Sequence, residues 1–208
     1  RLEHLAGNEC STDGYSVKKS EETRLNNAKE ENTMLPVGPM MKEHRLIEKM
    51  IGVMVSESGK IRDTGKVDGA VLDAIVDFIK TYADAVHHGK EEGILFRELS
   101  KKSISPEHRD IMNELVDEHA YGREKTAELV EAKEMYFKGD TDAAEKIFAA
   151  MNDLCEFYPA HIQKEDKNFF LPVMEYFSRE ELDAMIEEGY EFDRKLVHES
   201  YREIVQSL

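Results

Sequence analysis

Four histidines in this chain sit where their chemistry could converge: His44, His87, His119 and His161. A neutral imidazole offers a nitrogen donor to a transition metal, and it is costly to bury unless something binds it. At about 100° per residue along a helix, His44 shares a face with Met40, Ile47, Ile51 and Val55. His119 falls with Met112, Leu115, Thr126, Val130 and Phe137, and His161 falls with Ile147, Leu154 and Tyr158. Between them, Val71, Ile75, Ile79, Tyr82 and Val86 form a stripe, with His87 at its margin and His88 turned largely away. Each of four helices is therefore expected to present one imidazole inward.

Carboxylates accompany two of the four. Glu91 follows His87 by four residues and Glu165 follows His161 by four, a spacing that puts both side chains on one helical face. Four imidazoles and two carboxylates in one buried layer are a ligand set for a pair of transition-metal ions. The imidazoles would bind terminally, while the carboxylates bridge and offset the cationic charge. Iron is the expected metal, with manganese and zinc the alternatives. Two choices stay open: Asp166 could replace Glu165, and His88 with Glu92 could replace His87 with Glu91. Glu43, Glu92 and Glu124 are further candidate ligands. His108 lies on the stripe of His119 but about 16 Å away by helical rise, too far to join the layer. His4 belongs to a polar arm and His198 falls off the stripe of its helix. Tyr82, Tyr121 and Tyr158 could approach the layer, although core packing accounts for each.

The elements that must position these groups are all helical. Apolar spacing of three and four residues runs from Met40 onward, and no run of alternation suggests a strand. Residues 1–35 lack that period and are expected to form a mobile or loosely packed N-terminal arm, with a short helix near 21–31. From residue 36 to 208 the punctuation predicts five helices. The first spans about 40–55 and ends before a Gly-containing connection, 56–68. The second runs from about 68 to 99, and Gly89 and Gly93 weaken it. Ser105 and Pro106 open the third as N-cap and first helical residue, and Gly139 closes it. Asp140 or Thr141 caps the fourth, which reaches about 170 with a kink or bulge at Pro159. Ser178 with Glu181 is a capping box for the fifth. The fold class is thus all-α, an up-and-down four-helix bundle with an additional C-terminal helix. Level along the bundle agrees: the midpoints of 44/87, 87/119 and 119/161 fall between 65 and 66, at 103 and at 140, each in a predicted turn. The four imidazoles should meet in one layer.

Composition narrows the partners. The formal net charge of −16 argues against nucleic acid and anionic membrane surfaces, which are bound through Lys and Arg. The uncharged stretch Thr33 to Met41 holds two prolines and falls far short of the roughly 20 apolar residues of a membrane span. Cys10 and Cys155 show no pairing motif, which suits a reducing, cytoplasmic setting and leaves no thiol-based mechanism.

Four strings, KEHRLIEKM, HHGKEEGILF, DEHAYGREK and YPAHIQKEDKNFFLP, resemble the signatures of the hemerythrin-like, or HHE cation-binding, domain family over roughly Pro39 to Met174. The resemblance implies a non-haem di-iron centre bridged by carboxylates and an oxo or hydroxo group. It implies that His44 and His87 bind one iron, His119 and His161 the other, and that Glu91 and Glu165 bridge. The oxygen-carrying hemerythrins have a further His four residues after the third-helix one; here that residue is Arg123. The second iron is therefore expected to be one imidazole short. The activity so implied is binding, sensing or reduction of a small oxidant or diatomic ligand: dioxygen, peroxide or NO. The alternatives are an iron- or redox-sensing module that binds a protein partner, with the N-terminal arm as output, and an iron donor for iron–sulfur cluster repair.

Overall fold

The computed structural model describes residues 35–207, with side chains as far as 196. The expected arm and its short helix lie outside the described residues. Within them the chain is helical, without strands, and no helix is long and apolar enough to cross a membrane.

Helix α1, Val37–Thr64, buries Val37, Met40, His44, Ile47, Ile51, Met54 and Ile61 along one face. It runs nine residues past the expected end at 55. Gly59 costs a helix only about 1 kcal/mol, and Ile61 continues the buried stripe beyond it. Termination falls instead at Gly65, whose φ of 66° is left-handed and whose N–H closes on the Ile61 carbonyl at 2.7 Å; a Cβ would be strained there. The connection shrinks to residues 65–68. Asp68 then caps α2 through its carboxylate, which accepts from the N–H groups of Ala70 and Val71.

Helix α2, residues 69–99, is not uniform. It is α-helical over Gly69–Asp77, widens to π geometry over Phe78–His88 and again over Glu91–Phe96, and tightens at Arg97–Leu99. Helix α3, Pro106–Phe137, starts as its sequence dictates, with the Ser105 hydroxyl accepting the His108 N–H at 3.1 Å. Helix α4, residues 143–176, begins at Ala143, so neither Asp140 nor Thr141 is its N-cap. Asp142 holds that position, and Asp140 accepts the Asp142 N–H within the preceding turn. The α-helix passes through Pro159 unbroken to Lys164, and the wide turn comes later, at Glu165–Phe169. The helix also continues past Pro172, ending in a 3-10 turn at Met174–Tyr176. The capping box of α5, Arg179–Ser207, forms: Ser178 N–H donates to Glu181 Oε2 at 2.9 Å, and Glu181 N–H donates to Ser178 Oγ at 3.3 Å.

The core is divided. One apolar cluster holds Ile47, Ile51, Met54, Leu72, Ile75, Ile79, Leu129, Ile147 and Leu154 among others. A second, towards the other end, holds Met40, Ile94, Leu95, Leu99, Leu115, Phe169, Phe170 and Val173. Met40 and Ile47 flank His44, Ala83 and Ile94 flank His87, and Ile162 and Phe169 flank Glu165, so a polar layer separates the clusters. Helix α5 packs against α2, with Leu182 and Met185 in the second cluster. Arg97 makes a bidentate pair with Glu188 at 2.8 and 2.7 Å. Phe192 lies so close over Gly89 that a Cβ there would sit 2.8 Å from its ring.

Candidate metal centre

The polar layer contains seven buried side chains: His44, His87, His88, Glu91, His119, His161 and Glu165, each no more than 2% exposed. Six were singled out by spacing. The seventh, His88, is a correction, since the 100° period turned it outward. In the wide turn over Phe78–His88, the angle between consecutive side chains narrows, and both His87 and His88 face the core. Helix α2 therefore contributes two imidazoles. Where Arg123 supplies no imidazole, His88 from the preceding helix stands with His119 and His161 as a third.

The donors form two groups whose ligand atoms lie within 4.8 Å of one another: His44, His87, Glu91 and Glu165, and separately His88, His119 and His161. Glu91 and Glu165 face both groups. Glu91 places Oε1 3.2 Å from His87 Nε2 and Oε2 3.3 Å from His119 Nε2. Glu165 places Oε2 3.1 Å from His44 Nε2 and Oε1 3.4 Å from His161 Nε2. None of these approaches is aligned as a hydrogen bond. All five Nε2 atoms and all four carboxylate oxygens are buried without a hydrogen-bond partner. Leaving a buried polar atom unpaired costs about 1–3 kcal/mol, so nine together need a shared partner of another kind. Divalent first-row ions bind such donors at about 2.1 Å, which allows opposite donors to lie about twice that apart, close to the span seen. The residues fit a pair of cations.

The outward nitrogens are held in a ring. Glu43 of α1 meets His87 Nδ1 of α2 at 2.9 Å, and Glu92 of α2 meets His119 Nδ1 of α3 at 2.7 Å. Glu118 of α3 meets His161 Nδ1 of α4 at 2.8 Å, and Asp166 of α4 meets His44 Nδ1 of α1 at 2.8 Å. Each helix thus grips the imidazole of the next, and α4 closes on α1. Each carboxylate is also paired with a cation on the helix it grips: Glu43 with Lys90, Glu92 with Arg123, Glu118 with Lys164, and Asp166 with Arg45. His88 is the exception, since its Nδ1 faces Asp84 on its own helix at 3.4 Å. A carboxylate on Nδ1 fixes the ring and leaves Nε2 as the donor. Of the extra ligands expected, Glu43 and Glu92 serve in this outer ring, Asp166 does so while Glu165 takes the centre, and Glu124 is exposed.

Electrostatics point the same way. Burial alone would push the His87 imidazole down, but Glu91 and Glu43 hold it up at about 10. His119 is likewise held at about 10, against burial, by Glu165 and Glu91. Burial, with the charges of His119 and His87, pushes His88 down to about 4 against Asp84 and Glu91. Burial would raise Glu91, yet His87 and His119 hold its carboxyl well below the usual range, and Glu165 sits at about 2 against burial and the charge of Glu91, through His161, His119 and His44. The layer attracts positive charge, whether protons or metal ions.

Aromatic rings enclose it. Phe170 stacks on His44 at 5.5 Å, Phe96 on His119 at 5.9 Å and Phe157 on His161 at 5.1 Å. A groove of about 500 Å³ runs between α2 and α3, lined by Ile79, Asp84, His88, Arg123, Val130 and Tyr158 among others. Of the tyrosines considered, Tyr158 is buried, Tyr82 is half-buried, and Tyr121 is exposed against Phe157. His108 hydrogen-bonds Tyr176 instead, at 2.8 Å, and His4 and the His198 side chain lie outside the described residues. Burial pushes the Cys155 thiol up to about 11, which keeps it protonated.

A bundle of four helices with two imidazole groups joined by two buried carboxylates is a cation-binding four-helix protein. The model of the hemerythrin HHE cation-binding domain matches residues 35–171, and the chain belongs to that family. Comparison with curated proteins and with solved structures gives no match.

Proposed function

We propose that the chain is a carboxylate-bridged di-iron protein that binds, senses or reduces a small oxidant or diatomic ligand: dioxygen, peroxide or NO. One observation carries this reading. Glu91 and Glu165 each direct one oxygen to the His44/His87 group and the other to the His88/His119/His161 group. That is how a carboxylate spans two ions, and four carboxylate oxygens with five imidazoles suit iron. Such a pair, when bound, supplies two reducing equivalents at one place and Lewis acidity toward a bound oxygen or nitrogen ligand.

The chain's own residues set the terms. Glu43, Glu92, Glu118 and Asp166 hold the imidazoles in the donor tautomer, and Phe96, Phe169 and Phe170 exclude water on one side. The donor sets are unequal, two imidazoles in one group and three in the other. The two-imidazole side therefore leaves more room for an external ligand, which relocates the open position from the His119/His161 ion. Manganese or zinc in these sites, or a mononuclear site, are the competing metal readings.

A second reading has its own support. Lys90, only 3% exposed, sits between Glu43 and Asp193 of α5, 2.9 Å from the latter. A chain of contacts thus links His87 to the C-terminal helix, as a sensing module would require.

The test is iron content per chain after purification without added metal, with the visible spectrum before and after exposure to air, peroxide and NO. About two irons per chain with charge-transfer bands that respond to one of these ligands is the expected result. One ion or none, or an inert spectrum, overturns the reading.

A further inference from the structure

Arg123 differs from the other cations of the outer ring, because it serves two imidazoles. Its Nε donates to Asp84 Oδ1 at 2.7 Å and its Nη2 to Glu92 Oε1 at 2.7 Å. Those same two oxygens face His88 Nδ1 at 3.4 Å and His119 Nδ1 at 2.7 Å. Arg45, Lys90 and Lys164 each back a carboxylate that holds a single imidazole.

The pair it serves also needs support most. The His88 and His119 rings lie face to face, 3.9 Å apart and 14° from parallel, so neither locks the other at an angle. The His88–Asp84 contact is the longest of the five outer contacts. Asp84 and Glu92 are separated by about two helical turns, and the segment between them includes His87, His88 and Glu91 and spans the junction of the two wide stretches of α2. A guanidinium is a rigid planar fork that can direct two N–H groups to two carboxylates at once, whereas an ammonium is a point charge.

We infer that Arg123 is a positioning residue for the three-imidazole half of the centre, holding His88 and His119 together through Asp84 and Glu92. The inference rests on the two-ion reading above. It assigns to Arg123 neither metal ligation nor contact with a substrate. Its effect is confined to one ion, because no contact joins it to the outer carboxylates of His44, His87 or His161.

The experiment uses the full chain, stripped with a chelator and titrated anaerobically with Co(II). The wild type should bind about two ions, and R123Q should bind one of them about ten- to a hundred-fold more weakly with the other unchanged. In the proton spectrum of the cobalt-loaded wild type, five exchangeable imidazole N–H signals should be shifted by the metal, one for each outer contact. R123Q should move or lose two of them, and R45Q only that of His44. R123K should recover affinity in part and leave one of the two signals displaced. R123Q or R123K with two wild-type affinities and five unmoved signals overturns the inference. So does equal weakening of both ions, which would mark general loosening. A wild type that takes up fewer than two Co(II) overturns the two-ion reading before any variant is made.

Discussion

The two halves of the centre are built by different means. The half with His44 and His87 is two regular ring contacts deep: Asp166 with Arg45 behind one imidazole, Glu43 with Lys90 behind the other. Phe170 stacks on His44, and Lys90 ties this half to α5. The other half gathers three imidazoles, two of them stacked, and borders the groove between α2 and α3. One of its histidines, His88, is there only because α2 widens. The lesson is that a helical irregularity can supply a ligand that regular periodicity denies, and that such a ligand then needs its own outer support.

That contrast can be broken experimentally. The largest effect is expected from Glu91→Ala, which removes the oxygens serving both halves: affinity for both ions should fall by at least about a hundred-fold, measured as metal per chain after dialysis. If one ion stays bound at full strength, Glu91 does not join the halves. His88→Ala should remove about one ion and spare the other, while His108→Ala, whose ring is engaged by Tyr176, should leave the content at the wild-type level. Equal metal in both variants would return His88 to a packing role.

A smaller effect sharpens the comparison through pH. In the stripped protein the imidazoles of His87 and His119 are raised from 6.5 to about 10. Their contribution to stability is fully present below about 6.5 and is lost as pH rises through about 10. Glu165, lowered from 4.5 to about 2, contributes above about 4.5 and loses that as pH falls through about 2. The melting temperature of the stripped chain should therefore fall on going from pH 6.5 towards 10. With metal in place of those protons the alkaline fall should shrink. Parallel melting curves with and without metal would show that the protons and the metal do not compete for these nitrogens.

Much of this was legible from residue order. Face and level together bring His44, His119 and His161 to one layer, because α1, α3 and the first part of α4 are regular there, and the four-residue spacing from His87 and His161 brings Glu91 and Glu165 with them. His88 was not, since a fixed angle per residue cannot describe a π turn. A signal existed in HHGKEEG, where paired histidines, paired glutamates and two glycines overlap in register. The outer ring was also written in the sequence, as a carboxylate beside a central residue on each helix: Glu43 by His44, Glu92 by Glu91, Glu118 by His119, Asp166 by Glu165. Helical spacing does not reveal its role, because each of these carboxylates serves the neighbouring helix rather than its own. The long reach of α1 past residue 55 has a simpler cause: Gly59 costs the helix little, and Ile61 beyond it still has a core to face.

The polar layer between the two apolar clusters bears on how the bundle comes apart. Each cluster has its own apolar contacts, whereas between them nine inner nitrogen and oxygen atoms find no hydrogen-bond partner, and without ions the layer is held only by its outer ring and by the pH-dependent pairing of imidazoles with Glu91 and Glu165. Stripped of its cations, the bundle has a seam across its middle, and its two ends can open as separate cooperative units. With the ions in place the same seam becomes a crosslink of all four helices, so that melting one end must strain the other.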